Sequence, residues 1–586
     1  MKRTIGSLLS VIIMLSLTAC ADTPSSNTLP TEETSVTVDA DTHDSPTTEA
    51  ESAATETVQT SETEASDTAE TLVNTTETIN VTSESSETEE APVEYSASLL
   101  TVSAVTKNGR SLNYTINEDG GYAYASATYS SGYIPDSELY AATLSAEAEN
   151  GTCSFSGGTQ ADLTQTQYLT VTDTNGVQKT YTVMTERTEG KLPIVNIYLD
   201  SGKGVSDIDR NDSIGMTISI DCSKAPEYPE SLSTVSGTIR GRGNSTWKWE
   251  KKPYKIKLDE KAEVLGLPAN RDWILLANYA DKSLMRCSVA YDMGRVMDNL
   301  DWTPTQYPVD LFINGRYQGV YSIGEHMETA KDRVNVTKQS EDSEECGYLL
   351  EVGGVDSKVT TKNVDYFNVK SGMLMFIAFE YPTPDNITDA QKKEIKKWFN
   401  NADEAIVSGG DIGEYIDIDS FCDWVIIQEL TNNTDSAFRR SCFFTKDVGG
   451  KIKMGPIWDF DLAFGNLVVD NQSYNTWTII GSDAEGAYVT PSWGNYLMKN
   501  EQFRSRLRER WHEVRDELLA TAMASIDMYA EKIYPSQVEN FKVWQIWDEK
   551  PGYSSWANYN ANTYELQIQY MKDFLTKRAA WIDNNI

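Results

Sequence analysis

The sequence predicts an α+β protein, in which a two-lobed body with a sheet-rich N-lobe and a helical C-lobe follows a small β-sandwich and a disordered stalk. Three observations predict this fold class. Strand-like alternation dominates residues 96–321, amphipathic helical patterns dominate after Ser420, and residues 21–95 are acidic with almost no aromatic side chains. Strands that come first and helices that come later are typical of an α+β body.

Residues 1–20 have the pattern of an export signal. A positive residue pair at 2–3 precedes the apolar run 8–15, which is short for a transmembrane helix but typical of a signal peptide. The run ends at Leu17-Thr18-Ala19-Cys20, which is similar to a bacterial lipobox. We therefore predict a lipoprotein signal peptide whose lipid, on Cys20, anchors the chain to the extracellular face of a bacterial membrane. An ordinary signal peptide with an incidental cysteine is the alternative.

Residues 21–95 carry 19 Asp and Glu and no Lys or Arg, half of the chain's net charge of −38. Such a segment cannot bury enough apolar surface to offset its ordering entropy, which predicts a disordered acidic Ser/Thr-rich stalk. The rest of the chain is moderately acidic, without the clusters of Lys and Arg that nucleic acids require. We therefore expect no nucleic-acid partner, and a membrane contact only through the N-terminal lipid.

Residues 96–190 alternate in short β patterns, and Asn175-Gly176 between the last two is a strong hairpin signal. The segment predicts a small Ig-like β-sandwich that serves as a spacer or as a binding module.

The body, residues 191–586, begins with further strand patterns and includes a hairpin signal at Asn314-Gly315. Helical spacing predicts helices at 282–297, 418–430, 500–530 and 562–583. The six cysteines after Cys20 include no CxxC pair, and the chain has only three histidines. This composition disfavours a disulfide framework, a zinc site and a His-based triad, although a pair between Cys422 and Cys442 stays open.

Two basic segments are candidates for phosphate binding. The turn 240–247 follows a strand, and its two glycines, with Arg240, Arg242 and Asn244, suit an anion. The strand 251–258 places Lys255 and Lys257 on one face. Taken alone, the turn is more commonly explained by arginines that face solvent, and the strand by a polar face in water.

Two acidic segments are candidates for metal binding and catalysis. Asp435 belongs to the segment 432–435 that ends the predicted helix 418–430, and Asp459 and Asp461 follow a predicted hairpin. A catalytic Asp and a metal-binding Asp separated by a short hairpin are typical of kinase-like phosphotransferases. If 458–461 is a strand, Asp459 and Asp461 face the same side. Structural capping by these acids is the alternative.

The segments 240–247, 251–258, 273–286, 314–321, 347–351 and 458–466 resemble, in family order, the signatures of the CotH family of atypical protein kinases. We assign residues 191–586 to this resemblance. It implies a kinase-like fold that binds ATP with Mg²⁺ or Mn²⁺ and phosphorylates protein Ser or Thr, here on an unidentified surface or extracellular protein.

The resemblance implies a role for each candidate. Asp435 would be the catalytic Asp, and Asp459 or Asp461 the metal ligand. The residues implied to contact nucleotide or phosphate are Lys257, with Lys252 and Lys255 behind it, Arg240, Arg242, Asn244 and Glu325.

One departure from the family pattern bears on activity. Spore-coat members place an Asn shortly after the catalytic Asp, whereas this chain has Ser441. A catalytically inactive CotH-fold adhesin or scaffold is therefore the main alternative. A glycosidase is a weaker one, because paired acids suit that chemistry but leave the lysine strand without a role.

Overall fold

This computed structural model describes residues 94–586, except 129–133, 135, 188–189, 230–231, 342, 344, 354–365, 374, 437, 439, 467–473, 481–491 and 548–560. The predictions for residues 1–93, including the lipobox at Cys20 and the stalk, lie outside the described residues. The described part is a mixed α+β structure, as predicted.

Two sheets that share one hydrophobic core occupy the region of the predicted sandwich. The first has the strand order β2-β1-β5-β7 and the second β3-β4-β9-β8-β6. Buried Leu99, Leu144 and Leu169 belong to the core between them. The strands are β1 (Ser98–Val105), β2 (Ser111–Asn113), β3 (Thr115–Asn117), β4 (Tyr122–Ala127), β5 (Ala142–Glu149), β6 (Gly151–Phe155), β7 (Gln160–Ala161), β8 (Gln167–Asp173) and β9 (Gln178–Arg187).

The hairpin predicted at Asn175-Gly176 joins β8 and β9. The strand expected at 112–116 is interrupted at Tyr114, because the chain passes there from the first sheet to the second. A short helix, α1 (Asp136–Leu139), precedes β5.

A closed barrel forms the first part of the body. Its strand order is β10-β11-β12-β13-β14-β16-β15, and the parallel pairing of β10 with β15 closes it. Asn314 and Gly315 both have positive φ, 50° and 73°, which confirms the two-residue turn predicted between β15 and β16. The strands are β10 (Ile194–Leu199), β11 (Ile214–Asp221), β12 (Val235–Gly241), β13 (Tyr254–Val264), β14 (Leu267–Leu276), β15 (Gln306–Ile313) and β16 (Arg316–Glu325).

The rest of the body combines a five-stranded sheet, ordered β18-β19-β17-β20-β21, with long helices. The strands are β17 (Tyr348–Gly353), β18 (Tyr366–Phe367), β19 (Phe376–Tyr381), β20 (Cys442–Lys446) and β21 (Ile452–Met454). The helices are α2 (Arg286–Val296), α3 (Asp389–Ser408), α4 (Ile418–Thr431), α5 (Trp493–Leu497), α6 (Glu501–Val543) and α7 (Tyr564–Asn585). None of the helices in the described ranges is both long and apolar enough to cross a membrane.

Local signals set the helix ends. Asp417 caps the start of α4 by accepting from the Ser420 amide, and left-handed Asn432 ends it. Helix α2 begins four residues later than predicted, because Leu284 has a φ of 63° and residues 281–285 turn around Asp281. The six described cysteines are free thiols, so Cys422 and Cys442 do not pair.

A buried ion pair joins α7 to α4. Arg578 Nη2 lies 2.6 Å from Glu429 Oε2, and the two side chains are 0% and 2% exposed. The Glu429 carboxylate also accepts from the amides of Thr478 and Ile479, at 2.8 and 2.7 Å. Removal of the arginine would leave a buried carboxylate without its counter-charge.

We therefore expect Arg578→Leu to lower the free energy of unfolding by about 3–5 kcal/mol, measured by denaturant unfolding. Lys370→Ala is the control, because the Lys370–Glu404 pair is exposed and its loss should leave the unfolding midpoint nearly unchanged. Equal effects of the two changes would contradict the importance of the buried pair.

Candidate functional site

The first acid of the site lies in the turn that follows α4. Asn432 ends the helix, and Asp435 lies three residues later, with its side chain 30% exposed. Its Oδ1 lies 3.6 Å from Nη1 of Arg440. Burial raises the pKa of Asp435, and Arg440 partly opposes the shift. The carboxylate is therefore accessible and has one weak cationic neighbour.

The other two acids follow the β20–β21 hairpin. Residues 458–461 do not form a strand: 458–460 have no regular secondary structure, a turn begins at Asp461, and Asp459 has a left-handed φ of 66°. The alternation argument therefore does not apply to Asp459 and Asp461. Both side chains remain partly exposed.

Side-chain amides and a hydroxyl hold the segment 459–461, here called the acidic turn, in place. Asn433 donates to the Asp459 carbonyl at 3.0 Å, and the Ser441 hydroxyl donates to Asp459 Oδ2 at 3.1 Å. Asn466 Nδ2 donates to the carbonyls of Asp461 and Ala280, at 2.7 and 2.9 Å. The turn is thus tied to the loop after α4 and to the segment before α2.

The acids destabilise one another's charges. Burial, followed by the negative charge of Asp435, raises the pKa of Asp459 to about 6, while Ser441 and Arg242 oppose the shift. Burial raises the pKa of Asp461 well above its usual range, and the charges of Asp459, Asp435 and Asp281 add to this. A cation bound beside these carboxylates would relieve their repulsion.

Unusual backbone conformations concentrate around the same acids. Among the described residues between positions 432 and 464, five that are not glycine have positive φ: Asn432, Phe438, Ser441, Asp459 and Phe464. Such conformations cost energy and cluster at functional sites, where the surrounding structure enforces them.

The glycine-containing turn 240–247 reaches the acidic turn through Arg242. The Arg242 guanidinium lies 5.8 Å from the centre of the Trp458 ring, and its charge lowers the pKa of Asp459. Gly243 has a φ of 82°, and a Cβ there would lie 2.1 Å from the Thr246 hydroxyl, so the turn requires glycine. A basic turn and an acidic turn thus meet at one place.

Comparison with known families decides the assignment. The family model described as CotH kinase protein matches residues 239–582, more than half of the 586 residues. The chain belongs to the CotH kinase family. The matched range contains Arg242, Asp435, Asp459 and Asp461.

Other comparisons add little to the family match. A search of curated proteins finds no match. Among solved structures, a protein described as secreted, from Bacteroides fragilis, is 17% identical over 16% of this chain and 94% of its own, with a TM-score of 0.13. A TM-score this low supports no conclusion about fold or function.

The structure gives different surroundings to the three lysines that the CotH resemblance implied. Lys255 Nζ lies 2.9 Å from Asp272 Oδ1, whereas Lys257 is exposed on the same strand face. Lys252 donates to the Trp247 carbonyl at 2.7 Å. The charges of Lys255 and Arg242 both lower the pKa of His326, so these two residues share a neighbour.

The other three implied residues make local contacts. Arg240 donates to the Arg210 carbonyl at 3.1 Å, and Asn244 accepts from Arg210 at 3.2 Å. Glu325 is buried, accepts from the Thr305 amide at 2.9 Å and lies 3.9 Å from Arg333. These contacts do not connect the three residues to the acidic turn.

His326 is a site neighbour that sequence reasoning missed. Its Nδ1 lies 2.6 Å from the Met327 carbonyl, which can only accept, so Nδ1 carries the proton. Burial, followed by the charges of Lys255 and Arg242, lowers the pKa of His326 to about 3. The imidazole is therefore neutral at pH 7. The sequence held one indication of this role: His326 directly follows Glu325, the last residue of β16, and β16 leads to the site.

Cys287 and Tyr291, on α2, were also missed. Burial and the charges of Asp461 and Asp459 raise the pKa of the Cys287 thiol well above its usual range. The Tyr291 ring stacks against Trp458, with ring centres 6.1 Å apart. These side chains pack behind the acidic turn. In the sequence, only their spacing on a predicted helix indicated that they would be buried.

The donor set suits a hard divalent cation. Within the described ranges, no group of three or more His, Cys, Asp or Glu side chains is arranged to hold a metal by itself. Mg²⁺ typically takes one or two carboxylates and completes its shell with substrate phosphates and water. The oxygens of Asp459 and Asp461, with their raised pKa values, fit that requirement.

Proposed function

We propose that the chain is a surface-anchored CotH-type protein kinase that transfers the γ-phosphoryl group of ATP to Ser or Thr of a protein, with Mg²⁺ or Mn²⁺. The observation that carries this proposal is the meeting of Asp435, Asp459 and Asp461 with Arg242 from the glycine-containing turn. Phosphoryl transfer needs cations around the polyphosphate, a metal site and an acceptor for the hydroxyl proton. Family membership supports the same chemistry.

Asp459 and Asp461 would hold the metal. When bound, the metal would supply positive charge that neutralises the phosphate oxygens. Ser441 already orients Asp459, through Oδ2, and Asn466 fixes the backbone at Asp461. In this proposal Ser441 positions a metal ligand and is not a ligand itself.

Arg242 and Lys255 would contact the phosphates. Arg242 is always charged and can form two parallel bonds to phosphate oxygens, and it already lies beside Asp459. Lys255 forms a pair with Asp272, similar to the lysine–carboxylate pair that positions the phosphate-binding lysine in protein kinases. Lys255 therefore replaces Lys257 as the preferred lysine.

Asp435 would orient the substrate hydroxyl and accept its proton. Its accessibility and its position outside the hydrogen bonds that tie Asp459 and Asp461 fit this role. The barrel would form the N-lobe and the helices with the five-stranded sheet the C-lobe, with nucleotide between the 240–247 turn and the acidic turn.

Titration calorimetry of the protein with ATP, in the presence of Mg²⁺ or Mn²⁺, tests this proposal together with transfer of labelled phosphate to itself and to a generic protein. We expect metal-dependent binding and transfer. Absence of nucleotide binding with both metals would favour the adhesin or scaffold alternative. If binding occurs without transfer, Ser441→Asn tests whether the residue typical of spore-coat members restores it.

The proposed anchor gives a separate prediction. Cys20→Ala should release the protein from membranes or block removal of the residues that precede position 20, because the thiol that carries the lipid is lost. Fractionation of cells followed by mass measurement of the N-terminus checks both results. Ser10→Ala is the control within the same segment and should change neither. Unchanged, detergent-dependent membrane association of Cys20→Ala would contradict the anchor.

A further inference from the structure

The outer face of the sheet β3-β4-β9-β8-β6 presents tyrosine rings to solvent. Tyr122, Tyr124 and Tyr168 are 36%, 38% and 49% exposed in the whole described chain. Tyr122 and Tyr168 both pair with Thr182, the first across β4–β9 and the second across β8–β9. Residues paired across strands point to the same face, so the two rings flank Thr182 on one surface.

Hydrogen bonds to their hydroxyls order two of these rings. Asn117 Nδ2 donates to the Tyr122 hydroxyl at 3.0 Å, and the Tyr124 hydroxyl donates to Glu186. The bond to Glu186 raises the pKa of Tyr124 to about 12, so the phenol stays neutral. Rings that are fixed before binding lose little entropy when a ligand packs on them.

Apart from Met184, which pairs with Tyr124, and the charged Glu186, the rest of this face consists of uncharged polar side chains. Thr170 and Thr180 lie with their hydroxyls 3.4 Å apart, and Gln178 donates to Thr172 at 3.3 Å. The carboxylate on the face, Glu186, is the acceptor for Tyr124. Lys179 of β9 points to the opposite face, where it lies over the Tyr181 ring at 4.9 Å. The further face positions are Thr115, Ser126, Thr152, Ser154, Thr182 and Met184.

We propose that this tyrosine face, defined by Tyr122, Tyr124, Tyr168 and the hydroxyl side chains around them, binds a neutral β-linked polysaccharide. The apolar faces of sugar rings pack on aromatic rings, while their hydroxyl groups bond to Thr, Ser, Asn and Gln side chains. Tyr122 and Tyr168 are two strand spacings apart, about 9.6 Å, which is close to the length of one disaccharide unit in an extended chain.

Charge decides between a neutral glycan and other partners. The chain has a net charge of −38, but the described positions of this face include one charged side chain, Glu186, whose carboxylate accepts from the Tyr124 hydroxyl. Among these described positions an anionic glycan would meet no Lys or Arg, and a basic protein would meet a single carboxylate, that of Glu186. The face therefore matches an uncharged, hydroxyl-rich partner.

The test measures co-sedimentation of residues 21–586 with insoluble cellulose and chitin, with binding to immobilised heparin as the anionic arm. We expect binding to at least one neutral polysaccharide. The double variant Tyr122→Thr/Tyr168→Thr should bind at least about tenfold more weakly, because two ring contacts are lost. Threonine keeps strand propensity, so the melting temperature should not change.

Two further variants separate the ring contacts from other effects. Tyr168→Phe retains the ring and should bind within about twofold of the original protein. Tyr198→Thr removes an equally exposed ring (49%) from β10, outside this face, and should not change binding. If the double variant does not fold, Tyr168→Thr alone provides the comparison.

The proposal is overturned if the protein binds neither neutral polysaccharide or binds only heparin. It is also overturned if loss of the two rings leaves affinity unchanged, or if Tyr198→Thr loses as much. Because the tyrosine face lies outside the 239–582 family match, none of these outcomes depends on ATP binding.

Discussion

Asp461→Asn should abolish metal-dependent binding of ATP. Burial, followed by the negative charges of Asp459, Asp435 and Asp281, raises the pKa of Asp461 well above its usual range. Asparagine keeps the shape of the side chain but removes the negative charge that would hold a divalent cation. Calorimetric titration with ATP and Mn²⁺ should therefore show no heat of binding above that measured without metal.

The same change should not destabilise the protein. An Asp whose pKa is raised by folding lowers stability at pH values above its unfolded pKa, because the charged form is disfavoured in the folded state. Removal of that charge should leave the free energy of unfolding at pH 7 unchanged or higher. Asp301→Asn, an exposed carboxylate that pairs with Lys453, is the control and should bind ATP normally. Retained metal-dependent binding in Asp461→Asn would remove this residue from the proposed metal site.

Asp435→Asn should lower the rate of phosphate transfer at least about 100-fold, on the scale of lost general bases. It should nevertheless keep much of the ATP affinity, since a group that acts mainly in the transition state contributes little to binding of the ground state. Asparagine can accept a hydrogen bond from the substrate hydroxyl but cannot take its proton.

Single-turnover transfer and calorimetry on the same preparation separate the two effects. A parallel loss of binding and transfer would mean that Asp435 holds the nucleotide or metal and does not act on the hydroxyl. Ser436→Ala is a suitable neighbour control, because Ser436 is buried and its hydroxyl contacts the Cys442 thiol. Its transfer rate should stay close to that of the original protein.

Local signals in the sequence were sufficient for much of the fold. Asn314-Gly315 specifies its turn through two positive φ values, and the alternation of β13 buries Tyr254, Ile256 and Leu258 as the pattern requires. The start of α4 follows from the capping Asp417. In each case the determining interactions lie within a few residues along the chain.

The site was less predictable, because distant contacts determine it. The left-handed conformation of Asp459 depends on the Asn433 amide, which lies 26 positions earlier. The preference for Lys255 over Lys257 depends on the partner strand that supplies Asp272 and on the approach of His326. No pattern within β13 distinguishes two lysines on one strand face.

Helix α6 limits how the body can move. It has 43 residues, about 64 Å at 1.5 Å per residue, and includes Pro535. Near its start, Arg510 Nε bonds to Asp423 of α4 at 2.6 Å; near its end, Asn540 accepts from the Val320 amide of the barrel at 3.0 Å. If the barrel opened away from the helices, α6 would have to bend, or its bonds to α4 or to the barrel would have to break. Exchange of small molecules should therefore depend on rearrangement of surface loops, with the two halves of the body moving as one.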